Sequence, residues 1–175
     1  MACTTLNSIM KACEGNNIGG IYEVYINDQD EISATTVSTT AHTITAITLS
    51  GAVKYSTFQF QRNVGNFTVE PTVDLVNGST VYKATITLQF NRREGTKSRS
   101  LMLLGEGQRY LSIIVKNANG TYSYFDFAQL SGGAEESGAI KEDGSRYTVT
   151  FSADLDQRPY FVDPAIITST IISTT

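Results

Sequence analysis

The sequence has no tryptophan, one histidine, two cysteines and three prolines. Cys3 and Cys13 both lie near the N-terminus, so a disulfide framework is excluded. A bridge between them and a reduced pair both stay open, and a cytosolic chain favours the reduced pair. Zinc ligation needs more nitrogen and sulfur ligands than this chain offers. No apolar stretch is long enough to span a bilayer, so no membrane insertion is expected. The start, "MACTTLNSIMKACEG", lacks a cationic segment followed by an apolar run; no signal peptide and a cytoplasmic origin are expected. Charge is sparse at 17% of residues and sums to −4, which argues against a free-standing nucleic-acid binder.

What is present is a globular composition. Hydrophobic residues make up 41% of 175, with 9 Tyr and 8 Phe to fill a core. One domain, residues 1–175, is expected. Leu6, Ile9, Met10 and Cys13 recur at helical spacing between Thr5 and Gly15, which predicts a short amphipathic helix within an arm over residues 1–17. "GGIYEVYIND" reads as a strand, with Tyr22, Val24 and Ile26 on one face and Ile21, Glu23 and Tyr25 on the other. The Thr-rich segment, residues 28–43, reads as a loop, followed by a strand over Ile44–Ser50.

The clearest pattern is a two-faced ribbon. Phe67, Val69, Pro71, Val73 and Leu75 share one face, and Thr68, Glu70, Thr72 and Asp74 share the other. After Asn77-Gly78, Tyr82, Ala84, Ile86, Leu88 and Phe90 alternate with Lys83, Thr85, Thr87 and Gln89. Asn-Gly between alternating runs signals a hairpin, because both residues tolerate positive φ. Pro71 cannot donate to a ladder, which places its strand at an edge or a bulge. "TKSRSLMLLGEG" predicts a short helix from Thr96 as N-cap to Gly105 as the terminating glycine, burying Leu101, Leu104 and Met102. A second hairpin turns at Asn119-Gly120. "LSGGAEESGAIKEDGS" reads as a Gly-rich, acidic loop, and "RYTVTFSADLD" as a strand burying Tyr147, Val149, Phe151 and Ala153. Together these predict a mainly β fold, an antiparallel sandwich or barrel of about eight strands with one or two short α-helices.

Catalytic equipment is not visible, and neither an enzyme nor a cofactor is expected. His42 stands alone in a Thr-rich stretch and reads as a surface or turn residue. Asp28, Asp30 and Glu31 lack the spacing of a calcium loop. Asp154 and Asp156 sit at a strand end without the contrasting environments of an acid–base pair. Gly105 to Gly107 is too short for a phosphate loop. The sequons at Asn66, Asn77 and Asn119 include two hairpin turns, which turn chemistry explains. Arg92, Arg93, Lys97 and Arg99 form the one basic cluster. It could touch phosphate, but no aromatic stacking partners are interleaved with it. The favoured reading pairs these cations with acidic loops of the same or another subunit, with Glu135 and Glu136 of a neighbour as candidate partners for inter-subunit ion pairs.

Four stretches carry a family resemblance: Gly19–Asp28, Thr85–Gly105, Leu111–Phe127 and Asp143–Ala153. They hold a Gly-Gly strand, a strand ending in Asn-Arg before a short helix with basic residues in its first turn, an "IVKNANG" hairpin and a "DGSRYTVTF" strand. In this order they resemble tail-tube-like virion structural proteins of tailed bacteriophages, especially those of gut Bacteroides-type hosts. The resemblance implies a β-sandwich with a flanking helix, assembled as a homo-oligomer of hexameric rings that stack into a conduit for passing DNA. It implies contacts with other virion proteins, no small-molecule substrate, and a place in the phage tail after assembly in the host cytoplasm. The polar ribbon face (Thr68, Glu70, Thr72, Asp74, Lys83, Thr85, Thr87 and Gln89) would then be a lumen or assembly face, with Lys83 as the exception to its character. Residues 1–17, 28–43 and 164–175 would be assembly arms. The alternatives are another virion component (a neck or tail ring adaptor, a capsid decoration protein or a head-fibre protein) and a carbohydrate-binding module. The last expects exposed aromatics on one face, and the missing Trp counts against it.

Overall fold

We describe the protein from a computed structural model covering residues 9, 18–61, 63–168 and 171–173. The expected N-terminal helix, apart from Ile9, and both cysteines lie outside the described residues. Ten strands follow one another: β1 (Ile21–Asp28), β2 (Ile32–Val37), β3 (Thr43–Leu49), β4 (Ser56–Gln59), β5 (Asn66–Asp74), β6 (Ser79–Asn91), β7 (Leu111–Asn117), β8 (Tyr122–Glu136), β9 (Arg146–Leu155) and β10 (Tyr160–Val162). One α-helix, α1 (Gly95–Gly105), joins β6 to β7. The fold is therefore mainly β with one short helix among the described residues. It has ten strands where the sequence pattern predicts about eight.

All ten strands belong to one sheet that branches at β8. Seven strands lie in the order β2-β3-β10-β8-β7-β1-β4, and a second group runs β5-β6-β9-β8. The first half of β8 pairs with β7 and β10, and residues from Gln129 onward pair with β9. Between the halves Phe127 adopts φ 48°, and the β7–β8 register shifts by a residue between Leu111 and Ile113. A bulge with a left-handed residue turns the strand from one layer into the other. Among the ten strands only β3 and β10 pair in parallel; the isolated Tyr55–Ile172 bridge is parallel too.

Two cores result. The first lies between the seven-strand part and the second group, and holds Val24 and Ile26 of β1, Ile86 and Leu88 of β6, Ile113 and Val115 of β7, and Val149 and Phe151 of β9. Tyr147, Val149, Phe151 and Ala153 all point inward, as the alternation predicts. The second core fills the opposite face of the seven-strand part, which curls like half a barrel. There Tyr25, Ile44, Ile47, Tyr55, Ile114, Tyr124 and Val162 meet Ile171 from the C-terminal segment. Strands β1 and β7 are buried on both faces, so their apolar residues run on without alternation.

Several local expectations are corrected. The β1–β7 register slips between Ile21 and Glu23, so Ile21 joins Val24 and Ile26 in the core while Tyr22 turns out to solvent. The Thr-rich segment is not a loop throughout, because residues 32–37 form edge strand β2 on β3; β-branched threonines suit a largely exposed strand. The Gly-rich stretch is strand β8 as far as Glu136. A Cβ on Gly133 would sit 2.7 Å from the Thr148 carbonyl oxygen, so glycine permits the close approach to β9. Glu94, not Thr96, occupies the N-cap of α1, and its side chain makes no cap hydrogen bond. Leu101 and Leu104 pack on the core while Met102 faces solvent. Gly105 lies inside the helix against Leu130, and Gly107 (φ 69°) makes the left-handed turn.

Candidate functional site

The predicted polar ribbon face is built as one wall of the second strand group. Among the described strands β5 pairs only with β6, so Pro71 lies on an edge strand. Cross-strand rows run through the wall. Thr68 stands opposite Thr85, then Ser152 and Gln129; Asn66 stands opposite Thr87, then Thr150 and Gly132. Gln89 lies opposite Thr148. Directly opposed side chains share a face at about 5 Å, so these rows form a contiguous hydroxyl and amide surface. Lys83 stands between Glu70 on β5 and Asp154 on β9, so the one cation of the predicted face is flanked by two carboxylates.

Asp74 has a separate task. Its carboxylate accepts from the Val76 and Asn77 backbone amides at 2.9 and 3.2 Å and from the Asn77 side chain at 2.6 Å. The Asn77 side chain, then these amides, hold its carboxyl below the usual aspartate range. It caps a four-residue turn, residues 75–78, in which Gly78 takes φ 66°. Beyond Tyr82, which pairs with Leu155 at the end of β9, the hairpin continues without a third strand among the described residues. Val73, Leu75 and Val76 are exposed there, the last two at 90% and 93%. The sequence pattern places Val73 and Leu75 on a buried face; the ribbon outruns its core and leaves them in solvent.

The basic cluster finds partners within the chain. Arg93 pairs with Glu135, its Nε donating at 2.6 Å, and Glu136 pairs with Arg146. Arg92 and Lys97 lie 3.1 and 3.7 Å from Glu94, and Lys97 also donates to the Asn91 carbonyl at 3.1 Å. Arg99 is exposed on α1. These exposed pairs are individually weak.

His42 is exposed, stacks on Tyr160 with ring centroids 4.2 Å apart and lies 2.7 Å through Nε2 from the Arg158 carbonyl. Asp28 accepts from the Asp30 amide and pairs with Arg109 at 3.3 Å. No group of three or more metal-ligating side chains occurs among the described residues. No described helix is long and apolar enough to cross a membrane.

A buried polar cluster was missed by the sequence reading. On the second-core face Glu23, 8% exposed, accepts from Tyr25 Oη at 2.6 Å and Gln59 Nε2 at 2.8 Å, with Lys116 Nζ at 3.6 Å. Further along the same strand pair, where Ser112 stands opposite Asn27, Tyr55 and Ser112 share a separate buried hydrogen bond of 2.6 Å. The available signal was a lone glutamate inside the apolar run "IYEVYI". Burial pushes the Glu23 carboxyl up, but the hydrogen bonds from Tyr25 and Gln59 and the charge of Lys116 outweigh it, leaving a net lowering. A lowered folded pKa contributes stability above the unfolded glutamate pKa and loses it as pH falls through the folded value. Urea midpoints of the wild type and Glu23→Gln should therefore differ most at neutral pH and converge in acid; a constant difference from pH 7 to pH 3 would refute the ionised network.

No protein-family model matches the chain, and no curated protein matches it.

Proposed function

We propose that the chain is a non-enzymatic structural protein of a tailed-phage virion: a tail tube protein whose hexameric rings stack into a DNA conduit. The observation that carries this reading is the continuous Ser/Thr/Gln wall across β5, β6, β9 and β8, with exposed Lys83 standing in register between Glu70 and Asp154. DNA carries a negative charge about every 1.7 Å, and each phosphate that a wall neutralises adds affinity and friction. A hydroxyl-rich wall with its cation offset lets DNA slide. The unsupported hairpin end, with apolar Val73, Leu75 and Val76, supplies an arm for a neighbouring subunit or ring. The resemblance in strand and turn sequences supports the same assignment.

Negative-stain microscopy of concentrated protein tests it: rings or tubes are expected, and monomers at every concentration overturn it. Asp74 caps the turn, so the wall is tested with Glu70→Lys and Asp154→Lys together. This variant should assemble like the wild type but retard double-stranded DNA on a gel at low salt, where wild-type assemblies do not. Equal mobility with both proteins would remove the wall from the lumen.

A further inference from the structure

The β5–β6 hairpin outruns its sheet. Past Tyr82 and Leu155 it continues through the pairs Thr72–Val81, Val73–Thr80 and Asp74–Ser79 to the turn at 75–78. At about 3.4 Å per residue its end stands about 10–15 Å clear of β9. Leu75 and Val76 crown this end at 90% and 93% exposure, with Val73 beneath them. The turn itself is made by Asp74, Asn77 and Gly78 and needs no apolar side chain. Apolar groups gathered on a paired, projecting end mark a contact surface.

The other end of β6 holds a groove of matching character, of about 530 Å³. It lies between α1, the end of β1 and the segment before β4. Its apolar lining is Ile26, Phe58, Leu104 and Leu111, with Val53 and Leu103 on the walls at 53% and 41% exposure. A cavity of about 150 Å³ holds a benzene ring, so this groove has room for the three aliphatic side chains of the hairpin end. Phe58 meets Phe90, the penultimate residue of β6, with ring centroids 6.1 Å apart, whereas the turn precedes Ser79, the first residue of β6. The 13 residues of β6 therefore hold knob and groove about 40 Å apart. A chain cannot fill its own groove with its own knob. Lys54 and Arg109 on the groove are balanced by Asp28 and Glu31. Asp74, the one charge of residues 72–81, is engaged in the turn. The match is apolar on both sides.

We infer that the hairpin end of one copy docks in the α1 groove of a second copy, head to tail. This names the contact behind the proposed function and rests on the self-assembly in that reading. Knob and groove are different surfaces, so each bound copy still offers one of them, and the series closes into a ring or runs on as a stack. The side chains involved cover about a few hundred Å², short of the roughly 800 Å² per partner of a stable pair. A single contact is weak and holds where it is repeated.

Mixing two variants tests this. Leu75→Ser with Val76→Ser removes the knob, and Val53→Asn with Leu103→Gln makes the groove walls polar. These side chains are exposed, so both variants should keep the wild-type circular dichroism. In sedimentation the wild type should grow with concentration and change little with salt. Each variant alone should need about tenfold more protein or more to associate. Mixed in equal amounts they should pair, because each supplies the surface the other lacks, and growth should stop at pairs of the unit that each forms alone. A mixture no larger than its components overturns the contact. So does a wild type that halts at a dimer and loses it on Phe161→Ala, which would assign assembly to a symmetric contact at the hairpin base, where Phe161 lines a second groove with Pro71 and Tyr82. Tubes formed equally by the wild type and both variants would refute this contact and leave the proposed function standing. Knob-dependent pairing in a protein that never forms rings or tubes would do the reverse.

Discussion

A chain ending at Asp163 should melt roughly 10 °C below the full chain. In the structure the C-terminal segment closes the second core. Ile171 is buried, and Ile166, Ile167 and Ile172 pack around Tyr25, Ile44, Tyr55 and Ile114. The segment also pairs with the chain's own edge: the Tyr55 amide donates to the Ile171 carbonyl and the Ser173 amide to the Tyr55 carbonyl, both at 2.9 Å. Fully burying an isoleucine contributes roughly 1.5–3 kcal/mol, so one buried and three partly buried side chains add about 4 kcal/mol. At about 2–4 °C per kcal/mol for a domain of this size, the shift is of order 10 °C. Truncation also bares the apolar surface around Tyr55 and part of the β4 edge, so the shortened chain should associate on warming. Calorimetric melting with light scattering checks both effects. An unchanged midpoint would show that these contacts contribute nothing within one subunit, and would leave the segment free to act as an assembly arm.

Phe151→Ala should cost about 3–5 kcal/mol, while Thr150→Ala beside it should stay within about 0.5 kcal/mol. Phe151 is fully buried in the first core. Its removal leaves a cavity that β-strands, held in register on both sides by β6 and β8, cannot collapse into. Thr150 points the other way, into the polar wall, and only its backbone carbonyl accepts from Ser131 Oγ, a bond that alanine keeps. Urea denaturation measures the contrast. A large effect at Thr150 would mean that the wall is covered in solution, for instance by another subunit.

The elements that could be read from the sequence are those with one wet face and one dry face. In β6, β9 and the first half of β5 the side chains alternate, so strand and phase followed from period two, and Asn77-Gly78 located the hairpin; only its tip, with Val73 and Leu75 exposed, did not follow. Sequence also placed Pro71 on an edge and left His42 on the surface. Where both faces are buried, as in β1 and β7, the period disappears; the lone Glu23 in an apolar run was the one sign of its buried network, and Ser112 gave none. The Thr-rich stretch of β2 and the Gly-rich second half of β8 read as loops because composition stands in for pairing. Whether such a segment is a strand depends on β3 or β9 lying beside it, which is a long-range fact.

The amino-acid order by itself determined a mainly β chain with a two-faced hairpin and a short helix after "NRRE", because alternation, turn chemistry and composition are local. Tertiary structure decided the rest. The bend of β8 at Phe127 splits the strands into two layers, and the curl of the seven-strand part creates a second core for Ile171. The same bend sets Tyr110 beside Phe127, and strand pairing brings Arg93 to Glu135 across 42 positions of chain. Each of these depends on which strands meet and in what register, and that is settled by burying both cores at once.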